Sequence, residues 1–196
     1  MESQLTKLAN SRPAEAKMMS KKSLEWLANR IAEIKNPGVI PRGISRETHR
    51  QTPGFRLGGM YCFYYDPKTK EKLEYYDRFP MVLVLDRYND GFLGLNLHYL
   101  PFQYRIAFLG KLMKFAEMDD AGEIQRLRVT YDILTASKRL KEFKPCLKRY
   151  LTGHIQSKIL AIQSNEWDIA AFLPIQQFKK ASAAKVWQES LEEIRN

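Results

Sequence analysis

Met81, Val82, Leu83, Val84 and Leu85 follow one another without a polar residue between Pro80 and Asp86. A strand with one wet face alternates apolar and polar side chains; a run with no polar face has to be covered on both sides. This run therefore predicts the central, most buried strand of a sheet. Asn89-Asp90-Gly91 is a hairpin signal, and Phe92–Leu100 follows as the next strand. On that strand Leu93, Leu95, Leu97 and Tyr99 share one face, and Gly94, Asn96 and His98 share the other. Upstream, Met60–Tyr65 reads as an aromatic strand ending in a turn at Asp66-Pro67-Lys68. Leu73–Tyr76 reads as another short strand, and Pro80 marks an edge or bend.

Short, bent antiparallel strands with tight turns predict an α+β fold. Its centre is a small antiparallel SH3-like β-barrel or coiled sheet over residues 58–100, rejoined by a late strand at 166–174, with surrounding helices and an extended N-terminal arm. The expected division is residues 1–57 as a helix plus basic arm, and 58–196 as one domain. Leu24, Leu27, Ala28, Ile31 and Ile34 recur at helical spacing up to Asn36-Pro37-Gly38, with Trp26 off the stripe and free to meet a neighbour. Residues 36–59 carry three prolines and five glycines, so they predict a long loop. Tyr104, Phe108, Leu112 and Phe115 predict a helix, as do Leu147, Tyr150, Leu151, Ile155 and Ile159 after Pro145. A last helix covers about residues 177–194.

The charge is uneven along this frame. The chain of 196 residues has a net charge of +10. Residues 1–59 hold 11 basic and 5 acidic side chains, residues 60–100 hold 5 and 6, and residues 101–196 hold 16 and 11. The strand-rich centre is neutral and the surplus flanks it, a pattern suited either to an anionic partner or to docking on acidic protein neighbours. Arg42, Arg46, Arg50 and Arg56 punctuate the loop. Lys138, Arg139, Lys141, Lys144, Lys148 and Arg149 cluster near Pro145. Such groups follow a phosphate backbone as point charges and forks, releasing counterions on contact; the alternative is a solvated face. No zinc finger, RNP signature or helix-turn-helix is present, so binding would address backbone or DNA ends rather than base sequence. Tyr61, Tyr65, Tyr75 and Tyr76 belong to an aromatic belt too large for a small barrel to enclose, and are expected at a protein interface.

Catalytic and cofactor chemistry finds little support. Asp66-Pro67-Lys68 and Glu142-Phe143-Lys144 have the acid-x-Lys spacing of metal nucleases, but two-residue matches are common in a chain that is 28% charged. His98 and Asn96 form a polar pair beside Asp86 or Asp77, most simply a satisfied structural group. Cys62 and Cys146 match no disulfide, zinc or redox spacing and read as reduced, buried thiols. No Walker loop, GxGxxG, GxSxG or HExxH occurs, so no catalytic residue, metal or cofactor is expected. No apolar run spans a bilayer and no secretory leader is expected, which predicts a protein of the cell interior with no membrane partner.

The stretch GGMYCFYYDPKTKEKLEYYDRFPMVLVLDRYNDGFLGLNLHYLPFQYR resembles virion structural proteins of large contractile-tailed (myovirus) bacteriophages. These carry a turn like Tyr65-Asp66-Pro67-Lys68, then strands like those at Tyr76–Pro80 and Gly94–Leu100, in this order. KRYLTGHIQSKIL and EWDIAAFLPIQQFKKASAAKVW are similar too, so the resemblance covers roughly residues 58–190. The family is that of DNA-end protector proteins. The resemblance implies a non-enzymatic virion or assembly protein that binds phage DNA termini and shields them from host exonuclease. Its place would be the virion, and the host cytoplasm during assembly. A purely structural neck, tail or baseplate subunit docking on other virion subunits is the alternative, and a metal-dependent nuclease the third.

Overall fold

The computed structural model describes residues 21–29, 54–106, 109, 143–163 and 166–195. All strand pairs are antiparallel. A five-stranded sheet is built from β1 (Met60–Cys62), β3 (Met81–Tyr88), β4 (Gly91–Asn96), β5 (Leu147–Leu151) and β6 (Leu160–Ile162) in the order β5-β4-β3-β1-β6. β2 (Tyr76–Asp77) pairs with β7 (Phe178–Lys179) in a separate two-stranded sheet. Helical residues 21–29 (α1), 102–106 (α2), Trp167–Ala170 (α3) and Ala183–Arg195 (α4) complete the frame.

The apolar run lies at the centre, as its two-sided pattern requires: all five residues from Met81 to Leu85 are at most 1% exposed. Met81, Leu83 and Leu85 face the larger core with Leu95, Phe172, Leu173 and Val186; Val82 and Val84 face a smaller layer with Phe55, Tyr61, Phe63, Tyr65, Phe92 and Tyr150. β3 turns into β4 through Asn89 and Asp90, Tyr88 pairing with Gly91. Leu85 is an extra residue at a bulge, between the pairs Val84–Gly94 and Asp86–Leu93.

Four expectations are corrected. The sheet is open, with β5 and β6 at its two edges, so the described residues form no closed SH3-like barrel; the fold is a mixed one with antiparallel sheets and helices packed on them. The segment after Pro145 is β5, not a helix. Leu147, Tyr150 and Leu151 fit both periods, and pairing with β4 over five residues decides the matter, because an unpaired β4 would leave a buried strand with an open edge. Residues 166–174 contain α3 rather than a strand. Trp167, Ala170, Ala171, Phe172 and Leu173 are all buried, and after Asp168 the apolar stretch at residues 169–173 carries no alternation to separate strand from helix. The return to a sheet comes later, at β7. Finally, the buried face of α1 is Ser23 and Leu27, while Leu24 is 44% exposed. Ser23 Oγ donates to Ile169 O (2.6 Å) and Trp26 Nε1 to Glu166 Oε1 (3.2 Å). This part of the N-terminal segment therefore packs against α3 and the residue before it, and Trp26 does meet a neighbour.

Candidate nucleic-acid interface

β5 carries the described part of the basic cluster. Its place at the edge of the sheet among the described residues and its alternating side chains set the geometry: Tyr150 points into the aromatic layer, stacked on Phe92 (5.4 Å, 21°), while Leu147 and Arg149 are exposed. Arg149 lies over the Tyr88 ring (4.4 Å) and pairs with Asp90 Oδ1 (2.6 Å) across the β3–β4 turn. That pair is open to water and weak, so its guanidinium remains available to a phosphate. Lys144 is exposed in the turn before the strand. Lys148 is half-buried, with Nζ 4.3 Å from the Tyr99 ring centroid, and burial lowers its ammonium below the ordinary lysine value. It is a packed cation more than a reaching one. Arg56 is exposed, and its backbone N–H donates to the Tyr61 hydroxyl (2.9 Å). Phe55 beside it packs on Phe92 (4.2 Å), anchoring the end of the arginine-bearing loop over the aromatic layer that β5 closes. Arg42, Arg46, Arg50, Lys138, Arg139 and Lys141 lie outside the described residues.

The four tyrosines expected at a protein interface differ in their surroundings. Tyr61 and Tyr65 are buried, at 8% and 7% exposure, because the aromatic layer forms a second core on the far face of the sheet. Tyr75 and Tyr76 are half-buried; Tyr75 packs beside Tyr99 and Phe178 and bonds Glu189. Tyr64 instead is 39% exposed, with the Phe79 ring at 4.6 Å and the Arg78 guanidinium 5.9 Å above it. Neither Tyr64 nor Arg78 stood out in the sequence, where Tyr64 is one aromatic among several and Arg78 an isolated cation.

Beneath this surface lies a buried polar network. Asp77 Oδ2 meets His98 Nδ1 (2.6 Å) and accepts from Asn96 Nδ2 (3.2 Å), while Oδ1 accepts from the backbone N–H groups of Phe79 and Gln177 (3.0 Å each). Of the two partners open to the His98–Asn96 pair, the fold supplies Asp77. Burial alone would raise the Asp77 carboxyl, but His98 and the two backbone donors outweigh it and hold it below its ordinary value. Burial pushes the His98 imidazolium down against the pull of Asp77, so the neutral ring donates through Nδ1. Arg105, fully buried, donates to Leu97 O (3.1 Å) and Leu173 O (3.0 Å); burial lowers it to about 10, and it remains the cation that balances Asp77. Trp187 Nε1 closes the arrangement on His98 O (2.9 Å). The network ties β2, β4, α2, α4 and the chain before β7 together, and its closed interior gives a substrate no route to His98.

Among the described residues no three His, Cys, Asp or Glu side chains converge as a metal site requires, and Asp66 is taken by Lys70 (3.0 Å). Cys62 and Cys146 are buried thiols whose ionisation burial pushes up, Cys146 to about 12. No helix among the described residues is long and apolar enough to cross a membrane.

Comparison with known proteins adds one finding. The family model described as phage T4 terminal DNA protecting protein matches residues 4–190. The match reaches well beyond residues 58–190 and takes in both basic flanks. No curated protein and no solved structure matched the chain. With nearly its whole length matched, the chain belongs to the phage T4 terminal DNA protecting protein family.

Proposed function

We propose that this protein binds the ends of phage DNA through basic surfaces, without reading base sequence, and shields those ends from exonuclease without catalysing a reaction. The family match over residues 4–190 carries this reading. The charge pattern supports it: a net of +10 concentrated on the flanks of a neutral sheet suits a polyanion held by phosphate contacts. Lys144 and Arg149 would contact phosphates from the open edge of the sheet, with Arg56 and the arginines at 42, 46 and 50 reaching from the arm. Lys138, Arg139 and Lys141 would add phosphate contacts, and Lys148 would hold its Tyr99 platform in place. Residues 58–196 act as the body and residues 1–57 as an arm whose helix is docked on it. The protein would travel with the DNA into the virion.

The test is competition in a mobility-shift assay between blunt linear duplex and closed circles of the same sequence, at two salt concentrations. Linear DNA should compete far better than circles, and affinity should fall as salt rises. Equal competition by circles would remove the end-binding reading and leave a subunit that docks on protein neighbours.

A further inference from the structure

We infer that the cleft beside Tyr64 takes up a terminal nucleotide of the DNA, its base stacked on the tyrosine and its phosphate met by Arg78. The cleft has a volume of about 330 Å³ and is lined by Leu27 of α1, Tyr64, Phe79 and the extended chain from Pro174 to Gln177. That volume lies in the range of pockets that hold small molecules, about 300–1,000 Å³.

Three observations select a nucleotide as the occupant. Tyr64 offers an exposed ring with Phe79 behind it, a surface on which any base can stack. Arg78 stands over the same ring and, among the described residues, makes no ion pair, so a cation waits beside the stacking surface for an anion. Gln176 is half-buried in the wall, and its Oε1 has no donor among the described residues; a turn of this side chain toward the cleft would let it accept from the exocyclic amine of a base. An apolar peptide would satisfy the ring but neither the guanidinium nor the amide.

The cleft is also held rigid. Tyr64 N donates to Ser157 Oγ (2.9 Å), Gln156 N to Tyr64 O (2.8 Å), Tyr65 N to Arg78 O (2.9 Å) and Arg78 N to Gln177 O (2.9 Å). Asp77 Oδ1 fixes Phe79 and Gln177 from below. The backbone is committed while the side chains face outward, so little ordering is left for binding.

Stacking explains a preference that phosphate contacts cannot. Phosphates are alike along a duplex, whereas inside it every base is stacked on both faces. Only an end offers a base with a free face, or one that leaves the helix at small cost. This inference rests on the end-binding reading above and adds the element that would distinguish an end from the middle.

The experiment uses the full-length protein and a hairpin duplex with one blunt end, carrying 2-aminopurine at either the terminal or an internal base pair. Binding should change the emission of the terminal probe only. Tyr64→Leu should abolish that change and reduce the preference for linear over circular DNA about tenfold, with the salt dependence intact. Tyr64→Phe should keep both. Arg78→Gln, at an exposed position, should reduce the slope of log affinity against log salt by about one. Melting temperatures of all variants are compared with wild type, and the Arg78 variant answers independently if Tyr64→Leu folds poorly. If wild type prefers ends and Tyr64→Leu does so equally with its terminal signal retained, or Arg78→Gln leaves the slope unchanged, the cleft inference is wrong while end binding stands. If wild type shows no preference for ends, both fall.

Discussion

Replacing Asp77 by asparagine changes shape hardly at all but inverts half of a hydrogen-bond pattern. Each carboxylate oxygen accepts two bonds, Oδ1 from Phe79 N and Gln177 N, Oδ2 from His98 Nδ1 and Asn96 Nδ2. An amide has one oxygen and one NH2: turned one way, its NH2 opposes the two backbone donors, and turned the other it opposes Asn96 Nδ2 and forces the His98 proton onto Nε2, which has no partner among the described residues, so two buried donors go unsatisfied either way. Leaving a buried donor unsatisfied costs about 1–3 kcal/mol, which places the loss near 4 kcal/mol. The variant also removes the negative charge whose attraction favours the cationic form of the fully buried Arg105, a loss in the same direction. For a chain of this size about 1 kcal/mol moves the melting temperature by about 2–4 °C, so Asp77→Asn should melt about 8–16 °C below wild type. Thermal unfolding followed by near-ultraviolet circular dichroism is the assay, with Asp90→Asn as the exposed control. A melting temperature within about 2 °C of wild type would mean that the network does not hold these elements together.

Three further outcomes follow from the geometry. His98 in the folded state lies below its ordinary value of 6.5 and Asp77 below 3.8, so the unfolded chain binds more protons as pH falls; urea midpoints should be level above pH 6.5 and decline below it. His98→Gln should flatten the onset of that decline, and an unchanged profile would assign it to other groups. Gly94→Ala would drive a Cβ into Val82 and to 2.9 Å from Leu83 O, and should lose about 1–3 kcal/mol in chemical denaturation, whereas Gly153→Ala, with open space around it, should change little. Equal stabilities would contradict the close β3–β4 packing. Lys144→Glu combined with Arg149→Glu should lower the salt slope of DNA binding by about two; an unaltered slope would exclude the β5 edge as a phosphate surface.

What could be read from the sequence was what local pattern determines. A five-residue apolar run alternating Leu with Val, bounded by Pro80 and by a turn, points to an inner strand, and Asn89-Asp90-Gly91 can hardly be anything but a turn between strands. Where two periods fit the same residues, as at Leu147–Leu151, the free edge of β4 decided, and no local signal reports a free edge. The stretch at residues 167–173 holds Asp168 as its one polar residue, too little to set a helical period against a strand's. The barrel expectation came from short strands and turns, which an open sheet shares. The basic cluster was visible as charge, but that Lys148 packs on Tyr99 depends on the turn after β4. The cleft was invisible for the same reason: Tyr64, Arg78 and Gln176 meet only because β2 pairs with β7.

The most direct measurement is protection of end-labelled blunt duplexes against an exonuclease, titrated with the full-length protein on short and long DNA at equal molar concentration of ends. If termini are what the protein holds, half-protection should require the same amount of protein for both lengths and vanish when the DNA is presented with excess competing linear ends, but not excess circles. Protection that scales with total base pairs, or that circles compete away equally, would contradict it.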